Sequence, residues 1–196
     1  MECGPDTTLD SDLQAHVLRC PRCDAEQPLP AYPLFVVTGA SGAGKTTIID
    51  LLRHRVPSCE VFDSDLILRV AELGWDIWRN TWLQLAYAIS MNGRATVLCG
   101  PLVPDQFERL PGRRLVGPIH FGHLDCRDDL LAERLRARPA WRRSSSEEFI
   151  ARQCGFAAWL RSNIHPTFDT SVMSPEAVAD CVADWIRPQL VLRTRR

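Results

Sequence analysis

The stretch "FVVTGASGAGKTTIIDLL", Phe35 to Leu52, decides how this chain is read. Apolar, largely β-branched residues run into a loop of small ones, which leaves through a lysine and two threonines. Gly39-Ala40-Ser41-Gly42-Ala43-Gly44-Lys45-Thr46 fits G-x-x-x-x-G-K-[ST] at every fixed position. Gly39, Gly42 and Gly44 allow backbone conformations barred to other residues, so successive N–H groups can converge on one anion. The helix predicted to open at Lys45 aims its N-terminus at the same anion. In such a cradle Lys45 reaches the β- and γ-phosphates, the Thr46 hydroxyl binds Mg²⁺, and Ala40, Ser41, Ala43 and Thr47 complete the binding turn.

Outward from that loop, the rest of the chain alternates short apolar strands with longer amphipathic helices. Strands are expected at 34–38, 59–63, 95–99, 118–125 and 167–171. Helices should start near Lys45, Ser64, Asp76, Arg127, Glu147 and Pro175. The last carries a clear start signal, with Ser174 as N-cap, Pro175 at the first helical position and Glu176 in the first turn. Right-handed crossovers between parallel strands make a doubly wound α/β sheet, whose ligands bind beyond the carboxyl ends of the strands. The chemistry should therefore gather after Thr38, Asp63, Cys99 and Asp125.

Composition sets the outer limits. The 196 residues suit one domain with a sizeable core, at 45% apolar and 24% charged. A net charge of −1 offers no footprint for nucleic acid, and no apolar run reaches membrane-spanning length. The acidic, polar start "MECGPDTTLDSDL" is the reverse of a signal peptide, so a cytoplasmic location is expected. Of eight cysteines, Cys3, Cys59, Cys99, Cys126, Cys154 and Cys181 are scattered, as small buried hydrophobes are. Residues 1–33 read as a proline-bearing extension and 34–196 as the domain that carries the glycine-rich loop.

The second strand ends in "VFDSD", placing Asp63 and Asp65 at the carboxyl edge beside the glycine-rich loop. One carboxylate can support Mg²⁺ or its water shell; the other can take a proton from an attacking hydroxyl or hold the acceptor. Without the loop as a neighbour, Asp63 ending a strand and Asp65 capping a helix would suffice.

On these motifs the segment from Leu34 to about Arg187 resembles the P-loop small-molecule kinases of the shikimate and gluconate kinase type, and more broadly the nucleoside and nucleotide kinases. The resemblance implies a P-loop NTPase three-layer α/β sandwich. Its five-stranded parallel sheet has the order 2-3-1-4-5, helices on both faces and a helical lid. It implies that Asp63 serves the metal and Asp65 the acceptor hydroxyl. After the third strand, Gly100 fits the family's substrate-side turn, but Pro101 and Pro104 depart from the shikimate kinase glycine run. No guanine-specifying N-K-x-D or switch D-x-x-G occurs, which speaks against a GTPase and favours ATP.

"RLRARPAWRR", Arg134 to Arg143, looks like the start of the family's mobile lid, over about 136–150, with "SSSEE" as its return. Arg138 and Arg142 are the expected phosphate contacts, with Arg134 one turn earlier on the nucleotide side; an amphipathic helix with solvated arginines is the alternative. "FDTSVMSPE" resembles the loop that packs beside the base, assigning Asp169 and Ser171 to the nucleotide.

Trp75, Trp78 and Trp82 share one helical face, as core residues do. That segment also lies where these kinases build the acceptor site, so Arg79 and Trp82 are candidate substrate contacts. His120 and His123 read as core or rim. "CPRC" holds Cys20 and Cys23 at zinc-knuckle spacing, with His16 and Cys3 as the local candidates to complete a Zn²⁺ site.

These readings converge on an ATP- and Mg²⁺-dependent phosphotransferase, a monomer or homodimer with ATP and a small-molecule acceptor as partners. The acceptor is expected to be a nucleoside, a nucleotide or a nucleoside-like natural product. A sugar or polyol acid is the second reading, and a nucleotide-binding regulatory ATPase the third.

Overall fold

A computed structural model describes residues 10–12, 17–28, 31–142 and 144–190. Three short strands come first: β1 (Asp10–Asp12), β2 (Val17–Arg19) and β3 (Glu26–Pro28), paired antiparallel in that order. They fall in the segment read as an extension and linker, and strands of three residues are too short to display a period-2 pattern. Arg19 and Glu26 face each other across the β2–β3 ladder and form an exposed ion pair at 2.6 Å.

The main sheet consists of β4 (Leu34–Thr38), β5 (Cys59–Asp63), β6 (Ala95–Cys99), β7 (Ile119–Asp125) and β8 (Thr167–Asp169). Its spatial order is β5-β6-β4-β7-β8, and every pairing is parallel. Numbered within this sheet, that is the expected 2-3-1-4-5. The helices are α1 (Lys45–Arg55), α2 (Trp75–Ser90), α3 (Asp128–Arg136), α4 (Glu147–Asn163) and α5 (Pro175–Ile186). Ser174 caps α5 as read from sequence, accepting a hydrogen bond from the Ala177 amide.

The central strand β4 shows why helices cover both faces. All five of its residues are buried, and alternate side chains enter different cores. Phe35 and Val37 join the cluster formed with α1, α3, α4 and α5. Leu34 and Val36 join the one formed with α2. The helix expected near Ser64 is instead a 3₁₀ segment, Ser64–Leu73, kinked at Ile67 and ended by Gly74 at φ 132° before α2 begins. Among the described residues, no helix is long and apolar enough to cross a membrane.

Candidate active site

The loop from Gly39 to Gly44 links the carboxyl end of β4 to α1. Gly42 and Gly44 stand at φ 93° and 96°, in the left-handed region that a side chain would strain. This curls the backbone so that Lys45 folds over it, donating to the carbonyls of Gly39 (2.7 Å) and Ala40 (2.8 Å). Burial pushes the Lys45 ammonium down to about 8, with Cys99, Asp63 and Asp65 pulling the other way.

The carboxyl end of β5 meets this loop through Asp63. Its Oδ2 accepts from the Thr46 hydroxyl at 3.0 Å, and its Oδ1 accepts from the Asp65 amide at 3.0 Å. Asp63 is thus both the cap of the 3₁₀ segment and the partner of the loop threonine. The hard oxygen donors Thr46 and Asp63 suit Mg²⁺. Asp65 is left exposed, its carboxyl raised above the usual range by burial and by the neighbouring charge of Asp63.

Two elements reach the loop from the opposite side. Arg138, just past α3, donates Nη1 to the Ser41 hydroxyl at 2.9 Å. Gln153 of α4 accepts from the Ser41 amide at 2.8 Å. No motif points to Gln153, because it lies 112 positions from its partner. Burial and the nearby Arg142 lower the Arg138 guanidinium from its ordinary value. Arg142 is exposed, its guanidinium 5.1 Å from the centre of the Trp141 ring.

On the far side of the loop lies a cavity of about 250 Å³, lined by Gly44, Thr47, Arg134, Thr170 and Met173 among others. Arg134 donates to the carbonyls of Thr170 (3.0 Å) and Gly42 (3.3 Å), bridging loop and cavity wall. Asp169 and Ser171, expected as nucleotide contacts, shape that wall from behind. Asp169 accepts from the Ser171 amide, and the Ser171 hydroxyl accepts from the Arg127 amide. Thr170 and Met173 are what they present to the cavity.

The acceptor-side assignments change more. Trp82 is 1% exposed and donates its indole N–H to the Ser64 carbonyl, so it supports the wall and cannot touch a substrate there. Trp78 is likewise buried, while Trp75 at the start of α2 is 56% exposed. Arg79 is held by Asp76 at 2.9 Å. Gly100 is buried, and a Cβ there would lie 2.2 Å from the Ser64 Oγ, so packing against Ser64 leaves room for no side chain. His123 is fully buried, and His120 stacks on Phe35. The zinc expectation gains no support: among the described residues no three His, Cys, Asp or Glu side chains gather as metal ligands. Cys20 is buried and Cys23 exposed; His16 and Cys3 lie outside the described residues.

No protein-family model matches the chain, and no curated protein matches it by sequence. Solved structures do. A sugar kinase from Janibacter sp. HTCC2649 superposes with a TM-score of 0.59 at 20% identity, covering 81% of this chain and 95% of that one. The tunicamycin resistance protein of Deinococcus radiodurans gives 0.60 at 20% identity, over 82% and 98%. A shikimate kinase from Acinetobacter baumannii, solved with shikimate, gives 0.51 at 18% identity, over 82% and 95%. The strand order, the glycine-rich loop at the end of the central strand and these superpositions agree: the chain has the fold of the P-loop small-molecule kinases.

Proposed function

We propose that this protein transfers the terminal phosphoryl group of ATP to a hydroxyl or phosphate of a small molecule. The preferred acceptor is a nucleoside, a nucleotide or a nucleoside-like natural product. The observation that carries the reading is the chain of contacts from the phosphate loop to an exposed carboxylate. Thr46 is bonded to Asp63, Asp63 holds the Asp65 amide, and among the described residues no arginine is paired with the exposed Asp65 carboxylate. A nucleotide switch has no need of that second carboxylate.

Each residue has a separable task. Loop amides and the Lys45 ammonium bind the phosphates and hold the charge that builds on them in transfer. Arg138, anchored on Ser41, adds positive charge from the lid side. Thr46 and Asp63 would hold Mg²⁺, which supplies charge neutralisation when bound. Asp65 orients the acceptor hydroxyl and takes its proton; its raised pKa makes it a better base than a solvated aspartate. The cavity beside Arg134, Thr170 and Met173 takes the base and ribose of ATP.

A sugar or polyol acid is the second reading, favoured by the fold shared with a sugar kinase and a shikimate kinase. The deciding experiment measures ADP release with Mg²⁺-ATP against a panel of nucleosides, nucleotides, sugars and polyol acids. Acceptor-dependent release is expected. Turnover that no acceptor raises above basal hydrolysis would remove the phosphotransferase reading.

A further inference from the structure

β7 is paired differently on its two sides. β4 runs beside Ile119 through His123, whereas β8 pairs with His123 through Asp125. Among the described residues, no strand pairs with the β8-side edge of Ile119–Phe121. A cavity of about 300 Å³ lies against these three residues. Ile119 and Phe121 pack with the α2 core, while His120 stacks at 5.2 Å on Phe35 of the opposite core. Residues from both faces of β7 thus line one space, and what they share is the edge of the strand. Ile119 is level with Leu34, at the other end of β4 from the phosphate loop.

Hydrogen bonds at either end of β7 show which way its backbone points. The Pro118 carbonyl accepts from the Leu34 amide, on the β4 side. The His123 amide donates to the Pro166 carbonyl and the Asp125 carbonyl accepts from the Thr170 amide, on the β8 side. Along a parallel strand these directions alternate residue by residue. Ile119 and Phe121 therefore turn both N–H and C=O toward the edge where the cavity lies. Asn163 and Gln189 also line it, and each uses its amide N–H on a carbonyl four residues back, at Trp159 and Trp185. Their side-chain oxygens are left to accept. The Trp185 indole makes a fixed flat wall: it meets Phe35 edge-on at 5.6 Å, and a Cβ on Gly122 would come within 3.1 Å of its ring.

This lining selects a chemistry. Among the described residues no Asp, Glu, Lys or Arg lines the cavity, so nothing in it would hold a phosphate or carboxylate. An added peptide strand is a poorer occupant, because Ile119 and Phe121 are the two outward-facing residues before His123 is taken by Pro166, too few to hold one. We propose that the cavity on the open edge of β7 binds an uncharged flat heterocycle carrying an N–H donor beside an acceptor. The ring lies against Trp185, its donor meets the Phe121 carbonyl or the Asn163 and Gln189 oxygens, and its acceptor meets the Phe121 amide. This is a ligand site apart from the phosphate loop, and it is filled with or without ATP.

Uracil and nicotinamide test this, each against a methylated partner that lacks the N–H donor: 1,3-dimethyluracil and N,N-dimethylnicotinamide. Each is titrated into the ¹⁵N-labelled full chain, with and without a non-hydrolysable ATP analogue and Mg²⁺, and amide shifts are followed. At least one parent heterocycle is expected to shift the Ile119 and Phe121 amides, about tenfold more tightly than its methylated partner and within about twofold the same in both conditions. Asn163→Leu and Gln189→Leu should each weaken that binding about fivefold, with thermal melting as the check on folding. Shifts centred on Gly39–Thr46, or methylated partners that bind as tightly as their parents, would overturn the proposal. So would affinity untouched by both substitutions, or no shift from either parent up to about 10 mM. A short capped peptide such as acetyl-Val-Val-amide that shifts the same amides at lower concentration would overturn it too, in favour of an added strand.

Discussion

At the residue scale, the proposed reaction divides the work of donor and acceptor between Lys45 and Asp65, and each role can be tested alone. Asp65 is tied to Asp63 through its amide, which leaves its carboxylate out of that bond. Asp65→Asn keeps the shape and removes the base. Phosphoryl transfer should fall by about 10²–10⁴-fold while ATP affinity measured by titration stays within about twofold. A loss confined to ATP binding would contradict the acceptor role. For Lys45, burial sets the pKa near 8, so the ammonium that attracts phosphate is intact below that pH and is lost above it. ATP affinity should be flat up to about pH 8 and then weaken by up to about tenfold per pH unit. Titration of the wild type across that range, with Lys45→Ala as the flat control, measures it.

At the scale of elements, the site depends on contacts that hold segments at fixed distances. The turn after β6 passes so close to the start of the 3₁₀ segment that Gly100→Ala would put a methyl 2.2 Å from the Ser64 Oγ and 2.5 Å from its Cβ. Ser64 is fully buried, so it has nowhere to move. Urea unfolding should show a loss of about 2–3 kcal/mol, largely restored when Ser64→Gly is added; a lack of coupling between the two would refute the contact. Across the loop, Gln153 fastens α4 to the Ser41 amide. Gln153→Ala should cost about 1 kcal/mol and speed hydrogen exchange at Ser41 more than at Gly39. Equal acceleration at both would mean that α4 does not restrain the loop locally.

For the molecule as a whole, a buried histidine on the strand beside the central one links stability to pH. His123 on β7 is 0% exposed, with Thr38 of β4 and Thr167 of β8 as its register neighbours. Burial pushes its pKa down to about 4, against the upward pull of Asp125 and aided by Arg161, His165 and Lys45. A base whose folded pKa lies below its unfolded value of about 6.5 is neutral in the native state while the unfolded chain gains a proton. Stability is therefore lost as pH falls from about 6.5 and the loss is complete below about 4. Between about pH 7.5 and 5 the native state should lose about 2 kcal/mol from this group. Urea unfolding at the two pH values checks it, and His123→Leu should remove most of that difference; an unchanged difference would place the acid sensitivity elsewhere.

The scaffold was legible in the sequence, and so was the loop whose geometry supports the proposed donor site. Alternating strand and helix patterns, with β-branched runs entering a glycine-rich turn, point to a parallel sheet covered on both faces, and the observed β5-β6-β4-β7-β8 order is the one implied by the resemblance to the P-loop small-molecule kinases. The meeting of Lys45 and Thr46 with the end of β5 at Asp63 was foreseeable because a phosphate cradle needs particular residue types at fixed local spacing and parallel strands bring their carboxyl ends together. Tertiary structure decided the rest, because each remaining role depends on what a side chain meets from a distant segment. Trp82 and Trp75 share a helical stripe, yet one lies under Ser64 and the other in solvent. Asp169 and Ser171 stand in the expected loop but satisfy its own turn, so Thr170 and Met173 line the cavity. Gln153 carries no motif at all, since a single hydrogen bond across 112 positions leaves no periodicity or spacing in the chain that makes it.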